Sequence, residues 1–429
     1  VLAIFFFLIL LNDIVTNANS SSTMKIAIIG AGSAGLAAIR HCVPNDQVVC
    51  YEKTDQIGGT WVYREETGLD QYGLPIHTSM YNNLRTNLPK EVMGYPDFPI
   101  PETPESYLTR TQILDFLNSY CDHFDLRRYI RFHHHVECVQ KDTKGEQKWS
   151  IKVKDLKKRT TTIESFDAVM VCNGHYFEPS IPSLKGQKIF QGEQLHSHDY
   201  RVPEKFENKT VVVLGAGPSG ILINYNSLFL WVNRLIIFSM FLTEKEWISL
   251  LDVAELTEHG VIYKDGTSEP VDVMFYCTGY KYSYPFFNDN SGVRVDSNMV
   301  TPLWKHLISI ENPTLALVGL PFYVCAFSMF DLQKQFPSKS DMLRDEAEEV
   351  EKRAKEGLKK RHFHMMGPQQ GDYYDDLANT GGITPLPPVL TKLHNESSMR
   401  FLDDLVHYRE DRYRIVDDYN FVHGREENC

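Results

Sequence analysis

The sequence of 429 residues predicts an α/β protein with two doubly wound parallel sheets, because a strand–turn–helix pattern occurs in it twice. The first copy is MKIAIIGAGSAGLAAIRH at 24–41, and the second is TVVVLGAGPSGILI at 210–223. A similar strand follows each copy, DAVMVCNGHY at 167–176 and DVMFYCTGY at 272–280. A β-branched run, a glycine-rich turn and an apolar stretch are typical of Rossmann-like, dinucleotide-binding domains, so two such domains are predicted.

The composition is that of a globular protein and argues against several classes of function. Hydrophobic residues make up 42% of the chain and charged residues 23%, which excludes collagen-like, coiled-coil and wholly disordered chains. The net charge of −12 argues against nucleic acid as a partner. The eight cysteines form no CxxC or CxxxxC pair, and the histidines at 133–135 would point to alternating faces of a strand. We therefore expect no metal site.

The first glycine-rich turn, GAGSAG at 30–35, is predicted to bind a dinucleotide. Its glycines permit a tight turn, a close approach of the backbone to a pyrophosphate and close packing of helix on strand. The next strand ends in Glu52, 17 residues past Gly35, and its carboxylate can accept hydrogen bonds from ribose hydroxyls. The predicted binding residues are Gly30, Gly32, Ser33, Ala34, Gly35 and Glu52.

A second glycine turn follows the acidic strand end and favours FAD over NAD at this first site. Its residues Gly59, Thr60 and Trp61 can lie against an isoalloxazine ring or its ribityl chain. A plain loop with a tryptophan in the core is the other interpretation of the same residues.

The other glycine-rich turn is predicted to bind NADPH. It reads GAGPSG at 215–220, and the strand after it, RLIIFSM at 234–240, ends without an acidic residue. The missing carboxylate removes repulsion with a ribose 2′-phosphate, which favours NADPH over NADH. The predicted binding residues are Gly215, Gly217, Pro218, Ser219 and Gly220.

The segment between the two turns carries a family resemblance. It reads Phe-x-Gly-x3-His-x3-Tyr from Phe190 to Tyr200, which resembles the signature of flavin-containing monooxygenases. The resemblance includes NLPKE at 87–91 and CTGY at 277–280 and covers most of the chain. Tyr200 and Arg201 stand where the related Baeyer–Villiger enzymes have Trp-Pro, so the match is to the N- and S-oxygenating branch. The proline-rich run around NLPKE is similar to insect members, some of which are secreted and N-oxidise pyrrolizidine alkaloids.

The resemblance implies FAD and NADPH as cofactors and a cycle in two stages. NADPH reduces FAD, oxygen adds to give a C4a-hydroperoxyflavin, and a tertiary amine, alkaloid or sulfide takes up one oxygen atom. The family pattern places a catalytic amide, which helps to preserve the peroxide near the flavin, at Asn87. From the residues alone, Asn87 would be a turn residue. Thr278 resembles the family's linker between the nucleotide and flavin domains, and Gln333 resembles a family position close to the flavin, so both are expected to contact FAD.

Two residues of the signature have alternative interpretations. His196 is expected to brace the turn between the domains rather than to act as an acid or base. Tyr200 is either a packing residue or a contact to the phosphates of NADP, and the sequence leaves both open.

These landmarks predict a discontinuous FAD-binding domain, 24–203 and 275–429, into which a NADPH-binding domain at 204–274 is inserted. The inserted domain is shorter than in the family, and 221–252 is strongly apolar and lacks a clear polar face. This departure puts NADPH binding in question. The alternative function is an FAD-binding protein, or an NADPH oxidase-like remnant that releases hydrogen peroxide.

Residues 1–23 predict a secretory signal peptide. The apolar run at 1–11 is too short to span a bilayer, which takes about 20 residues, and small residues follow it. We therefore expect a secreted protein. The lumen of the endoplasmic reticulum is an alternative, as is the cytoplasm if translation starts at Met24. No transmembrane anchor is evident, and the sequence leaves a homo-oligomer open.

Overall fold

The computed structural model describes residues 23–429 except 45, 143–147, 216, 224–233, 239–252, 331–338, 382–383 and 426–429. The described residues form two compact units. The first comprises those of Val1–Trp61, Leu88–Gly174 and Tyr282–Cys429, and the second comprises those of Val62–Asn87 and His175–Lys281. The two units are compact parts of the fold, whereas the predicted domains are named for the cofactor that each would bind. The predicted domain boundaries therefore stay a prediction. The predicted signal peptide lies outside the described residues apart from residue 23.

The regular elements follow the α/β pattern of the sequence. In chain order the strands are β1 (Lys25–Ile29), β2 (Gln47–Tyr51), β3 (Ile130–Arg131), β4 (His134–Lys141), β5 (Trp149–Asp155), β6 (Thr160–Phe166), β7 (Ala168–Val171), β8 (Glu178–Pro179), β9 (Glu193–His196), β10 (Thr210–Leu214), β11 (Arg234–Phe238), β12 (Val253–Leu256), β13 (Gly260–Tyr263), β14 (Ser268–Pro270), β15 (Val273–Tyr276), β16 (Tyr280–Lys281), β17 (Arg294–Asp296), β18 (Met299–Thr301), β19 (Leu303–Trp304), β20 (Ile308–Ser309), β21 (Leu315–Leu317), β22 (Arg412–Ile415) and β23 (Phe421–Gly424). The α-helices are α1 (Ser33–Cys42), α2 (Arg110–His123), α3 (Pro218–Ile223), α4 (Ala326–Phe330), α5 (Lys339–Lys355), α6 (Gln370–Gly381) and α7 (Pro388–Asp403).

The first unit is built on a seven-stranded sheet of order β19-β20-β21-β7-β1-β2-β3. Strands β21, β7, β1, β2 and β3 run parallel, and β19 and β20 extend the sheet in antiparallel fashion. Strands β4, β5 and β6 form a separate antiparallel sheet. Helix α1 connects β1 to β2, so the carboxyl end of β1 is also the place where the first glycine-rich turn lies.

The second unit repeats this arrangement on a smaller scale. Its parallel sheet has the order β11-β10-β15-β9, and an antiparallel sheet of β12, β13 and β14 accompanies it. Both faces of β10 and β15 are buried: Val211 and Val273 pack in one cluster, and Val212 and Met274 pack in another. A strand that is covered on both faces explains why these runs are continuously apolar rather than alternating.

The parallel strands of the two sheets confirm the predicted α/β class with two Rossmann-like units. Within the described part of the chain, no helix combines the length and apolar character needed to cross a membrane.

Candidate dinucleotide-binding sites

The first glycine-rich turn packs tightly against the end of β7. Gly30 has a φ of +98°, and a Cβ atom there would lie 2.7 Å from the carbonyl oxygen of Cys172. A Cβ atom on Gly35 would lie 1.9 Å from the carbonyl oxygen of Gly30. Neither position has room for a side chain, so these two glycines bring the turn, α1 and β7 together.

The amino end of α1 is open toward a ligand. Gly32 is the N-cap residue, and no side chain among the described residues caps the helix there. The first backbone N–H groups of a helix have no partner within the helix, and together with the helix dipole they favour an anion. Ser33 and Ala34 occupy the first turn and are partly exposed. This end of α1 therefore fits the pyrophosphate of a dinucleotide.

The second glycine turn lies directly on the first. The N–H of Gly58 donates to the carbonyl oxygen of Ala31 over 3.0 Å. A Cβ atom on Gly59, whose φ is +55°, would lie 3.1 Å from the Cα atom of Gly32. The short 3₁₀ helix Gly59–Trp61 follows. The structure thus brings the predicted FAD residues at 30–35 and 59–61 together in one unit.

Glu52 is buried, with 6% of its surface exposed, and is held by the first glycine-rich turn and by Thr54. Its Oε2 atom accepts from the N–H of Ala31 over 2.9 Å. Its Oε1 atom accepts from the N–H and the hydroxyl of Thr54, each over 2.8 Å. A carboxylate has about four acceptor sites, so one is left for a ribose hydroxyl. The sequence did not predict Thr54 as the residue that orients Glu52.

The Glu52→Gln variant is expected to bind FAD about tenfold more weakly, because an amide NH₂ group would face N–H and O–H donors in place of an acceptor. Reconstitution of the apoprotein with FAD, followed by flavin fluorescence, measures the Kd. Glu65→Gln, at an exposed carboxylate, is the matched control. A wild-type Kd for Glu52→Gln contradicts the assignment of Glu52 to the cofactor.

The glycine-rich turn of the second unit repeats the packing of the first. A Cβ atom on Gly215, whose φ is +109°, would lie 2.4 Å from the carbonyl oxygen of Cys277. A Cβ atom on Gly220 would lie 2.0 Å from the carbonyl oxygen of Gly215. A Cβ atom on Gly217 would meet no heavy atom of the described residues within 4 Å. The described residues therefore leave room beside Gly217, in front of α3, where a pyrophosphate can approach.

The remaining predicted NADP and FAD residues lie in different surroundings. Pro218 and Ser219 are the first residues of α3 and are partly exposed. The Thr278 hydroxyl donates to the carbonyl oxygen of Ser180 over 2.6 Å. Asn87 is exposed and lies in a bend at the end of Val62–Asn87, the first segment of the second unit. Gln333 lies outside the described residues.

Tyr200 is completely buried in the second unit. Its ring packs against those of Phe206 and Phe275, with centroids 6.1 and 5.8 Å away. Of the two roles that the sequence left open, these contacts support packing.

His196 joins the ends of two neighbouring strands. Its Nδ1 atom accepts from the N–H of His198 over 3.1 Å, so its Nε2 atom carries the proton and donates to the carbonyl oxygen of Gly279 over 3.1 Å. Burial lowers the pKa of His196 to about 4. A neutral ring with both nitrogen atoms bonded to the main chain is suited to bracing the strand ends.

The second unit is expected to lose stability as the pH falls from about 6.5, the pKa of histidine in an unfolded chain, to about 4. In this window the unfolded chain binds a proton that folded His196 does not, and the loss amounts to about 3 kcal/mol. Denaturant unfolding at several pH values gives the free energy of unfolding of the wild type and of His196→Gln. The loss due to His196 is the difference between the two chains in how this free energy changes with pH. His259→Gln, at an exposed histidine, should follow the wild type. Parallel curves for all three chains contradict the prediction.

The family was determined by comparison with known proteins. A family model described as FMO-like, flavin-binding monooxygenase-like, matches residues 23–228 and 247–398. The chain belongs to this family. Flavin-binding monooxygenase-like proteins use FAD and NADPH, and the two glycine turns described above fit both dinucleotides. The chain is therefore an NADPH-dependent flavin monooxygenase.

Similar proteins cover nearly the whole chain. Senecionine N-oxygenase of Tyria jacobaeae is 33% identical, over 96% of this chain and 94% of that protein. The solved structure of S-allyl-L-cysteine S-oxygenase from Allium sativum is 32% identical, with a TM-score of 0.83 over 91% of this chain and 95% of the other. The crystal structure of Tmm from Pelagibacter sp. strain HTCC7211 is 27% identical, with a TM-score of 0.80 over 91% and 93%.

The interruption of the family match coincides with the apolar stretch that the sequence singled out. Residues 229–246 are unmatched, and they lie within 221–252. Most of this stretch lies outside the described residues, so its effect on NADPH binding stays a prediction.

Tyr95 supports the first glycine-rich turn of this flavin-binding monooxygenase-like chain, and no pattern in the sequence indicates that role. The Tyr95 hydroxyl donates to the carbonyl oxygen of Ser33 over 2.7 Å, and Tyr95 is 1% exposed. Its ring stacks on Tyr120 of α2 at 4.1 Å and on Phe327 of α4 at 5.1 Å. Tyr95 thereby anchors the opening turn of α1 to two other helices.

Proposed function

We propose that this flavin monooxygenase transfers one oxygen atom to the nitrogen or sulfur of a soft nucleophile, such as a tertiary amine, an alkaloid or a sulfide. The other oxygen atom leaves as water, and NADPH supplies the two electrons. The observation that carries the proposal is the pair of glycine turns with matching contacts, Gly30 and Gly35 with Cys172, and Gly215 and Gly220 with Cys277. Relatives that are named N-oxygenase and S-oxygenase support the choice of nucleophile.

Each predicted site residue has a proposed task. Bound FAD supplies the oxygen chemistry, and the protein supplies placement and exclusion of water. In the first unit, the backbone at 30–35 binds the pyrophosphate, and Glu52 binds the ribose. The turn at 59–61 lies against the flavin side of the cofactor. In the second unit, the backbone at 215–220 binds the NADPH pyrophosphate. Thr278 and Gln333 are proposed to lie near FAD, and Tyr200 supports the NADPH site from the core.

Asn87 is the proposed catalytic residue, because an amide donates and accepts hydrogen bonds without titrating. The Asn87→Asp variant keeps the size of the side chain but replaces the NH₂ donor with a negative charge. We expect it to oxidise NADPH while oxygenated product per NADPH falls about tenfold and hydrogen peroxide rises to match. Asn83→Asp, also exposed, is the control. Unchanged yields of product in Asn87→Asp contradict the assignment.

The alternative is an FAD-binding protein or an NADPH oxidase-like remnant, and the unmatched residues 229–246 favour it. The deciding experiment supplies purified protein with NADPH, ¹⁸O₂ and either N,N-dimethylaniline or methyl phenyl sulfide. NADPH consumption, ¹⁸O in the product and hydrogen peroxide are measured together. One labelled product molecule per NADPH supports the monooxygenase. Peroxide formed in place of product supports the oxidase-like remnant, and bound FAD with no NADPH consumption supports the FAD-binding protein.

A further inference from the structure

Arg201 is a buried cation whose bonds all end on the main chain. It is 6% exposed, and it directly follows Tyr200 at the end of the signature. Its Nε atom donates to the carbonyl oxygen of Arg64 over 2.6 Å. Its Nη1 atom donates to the carbonyl oxygens of His198 over 2.8 Å and Tyr200 over 2.9 Å. Its Nη2 atom donates to those of Glu66 over 3.3 Å and Thr78 over 3.2 Å.

The number of these bonds shows what Arg201 can and cannot do. A guanidinium group carries five N–H donors in a fixed plane, and the five carbonyl oxygens use all of them. No donor is left for a phosphate or a substrate, so Arg201 is not a ligand-binding residue. A lysine offers three donors from a single atom and cannot reach all of these acceptors.

Three of the five acceptors belong to one segment, residues 62–87. The backbone of Arg201 holds the same segment, because its carbonyl oxygen accepts from the N–H of Asn82 over 2.9 Å. The ring of Tyr81 packs edge-on against Tyr200 at 5.4 Å. Residues 62–87 begin directly after the turn at 59–61 and end at Asn87. Arg201 therefore fixes the stretch of chain that connects two of the predicted flavin-side elements.

We propose that Arg201 is a positioning residue that holds residues 62–87 and thereby sets the place of Asn87, so that reduction by NADPH stays coupled to oxygenation. The link to coupling rests on the proposed function, whereas the positioning of residues 62–87 does not. In the coupled reaction, NADPH, a proton, oxygen and the nucleophile give NADP⁺, water and the oxygenated product. In the uncoupled reaction, NADPH, a proton and oxygen give NADP⁺ and hydrogen peroxide. Loss of Arg201 diverts electrons from the first reaction to the second.

The test uses two independent ways to weaken the contact. Arg201→Lys removes side-chain donors. Asn82→Pro removes the N–H that bonds to the Arg201 carbonyl oxygen, together with the asparagine side chain. Position 82 is the second of a turn closed by the N–H of Leu84 and the carbonyl oxygen of Tyr81 over 3.2 Å, where proline is favoured. Asn82→Ala keeps that N–H and is its control. Arg353→Lys, at an arginine of the first unit that is also 6% exposed, controls for the loss of any buried guanidinium.

Two readouts are taken from each FAD-loaded variant. In Arg201→Lys and Asn82→Pro, the amount of product per NADPH is expected to fall about fivefold, and hydrogen peroxide should account for the difference. The backbone amides of residues 62–87 are expected to exchange hydrogen about tenfold faster than in the wild type. Both controls should keep wild-type coupling. Folded variants with wild-type coupling and exchange overturn the proposal. If Arg201→Lys is insoluble, the Asn82 pair decides alone. If the wild type forms only peroxide, the proposed function fails, and the exchange rates alone then support or overturn the positioning role.

Discussion

The Gly217→Ala variant is expected to keep its fold and its FAD and to lose about 100-fold in kcat/KM for NADPH. Its new Cβ atom would meet no atom of the described residues within 4 Å, so none of these residues has to move. The same methyl group would occupy the space through which a pyrophosphate reaches the backbone before α3. Stopped-flow reduction of the flavin by NADPH measures the loss, and flavin absorbance measures the retained FAD.

Two control experiments assign the expected loss to the NADPH-binding site. Reduction by dithionite, which does not need the second site, should proceed at the wild-type rate in Gly217→Ala. The Gly32→Ala variant is the reciprocal case, because its Cβ atom would lie 3.6 Å from Gly59, an ordinary contact, yet close to the first pyrophosphate site. It should weaken FAD binding instead. Wild-type reduction of Gly217→Ala by NADPH would show that the dinucleotide binds elsewhere.

The Gly35→Ala variant is expected to fail at an earlier stage, in the folding of the first unit. Its Cβ atom would lie 1.9 Å from the carbonyl oxygen of Gly30, a main-chain atom of the first glycine-rich turn. Relief requires α1 to move away from the sheet, which we expect to cost about 3 kcal/mol or more. A lowered Tm and a low ratio of flavin to protein after purification would show this effect.

Gly68→Ala is the matched control for Gly35→Ala. Gly68 has a φ of +79°, but a Cβ atom there meets no described residue within 4 Å. Only backbone strain is added, so we expect a cost of about 1 kcal/mol and full FAD content. Equal Tm values for the two variants would mean that the crowding at Gly35 is relieved without moving α1.

The parts of the candidate site that depend on local pattern could be predicted from the sequence, although their roles stay a prediction. The two glycine turns, their strands and the strand that follows each were recognisable, because a tight turn between a β-branched run and a helix leaves few choices of residue. The α/β class followed from the same repeat. Glu52 was also recognisable, because its spacing from Gly35 places it at the end of the neighbouring strand.

The contacts that tie distant segments together could not be predicted. Tyr95 reaches Ser33 across 62 residues, and Arg201 reaches Arg64 across 137. No periodicity relates such pairs, and a tyrosine or an arginine in a loop is compatible with many partners. The Thr54 hydroxyl was missed for a different reason: it is close in sequence to Glu52, but only the turn geometry directs it toward the carboxylate.

The cysteines behind the two glycine turns have a consequence for the lifetime of the enzyme. Burial raises the pKa of both Cys172 and Cys277 well above that of a free thiol, so almost no thiolate forms at neutral pH. The thiolate is the form that oxidants attack, and the path from thiol to sulfinic acid is irreversible for most proteins. A flavin monooxygenase, whose chemistry activates oxygen, thus keeps these two thiols in a form that resists oxidation.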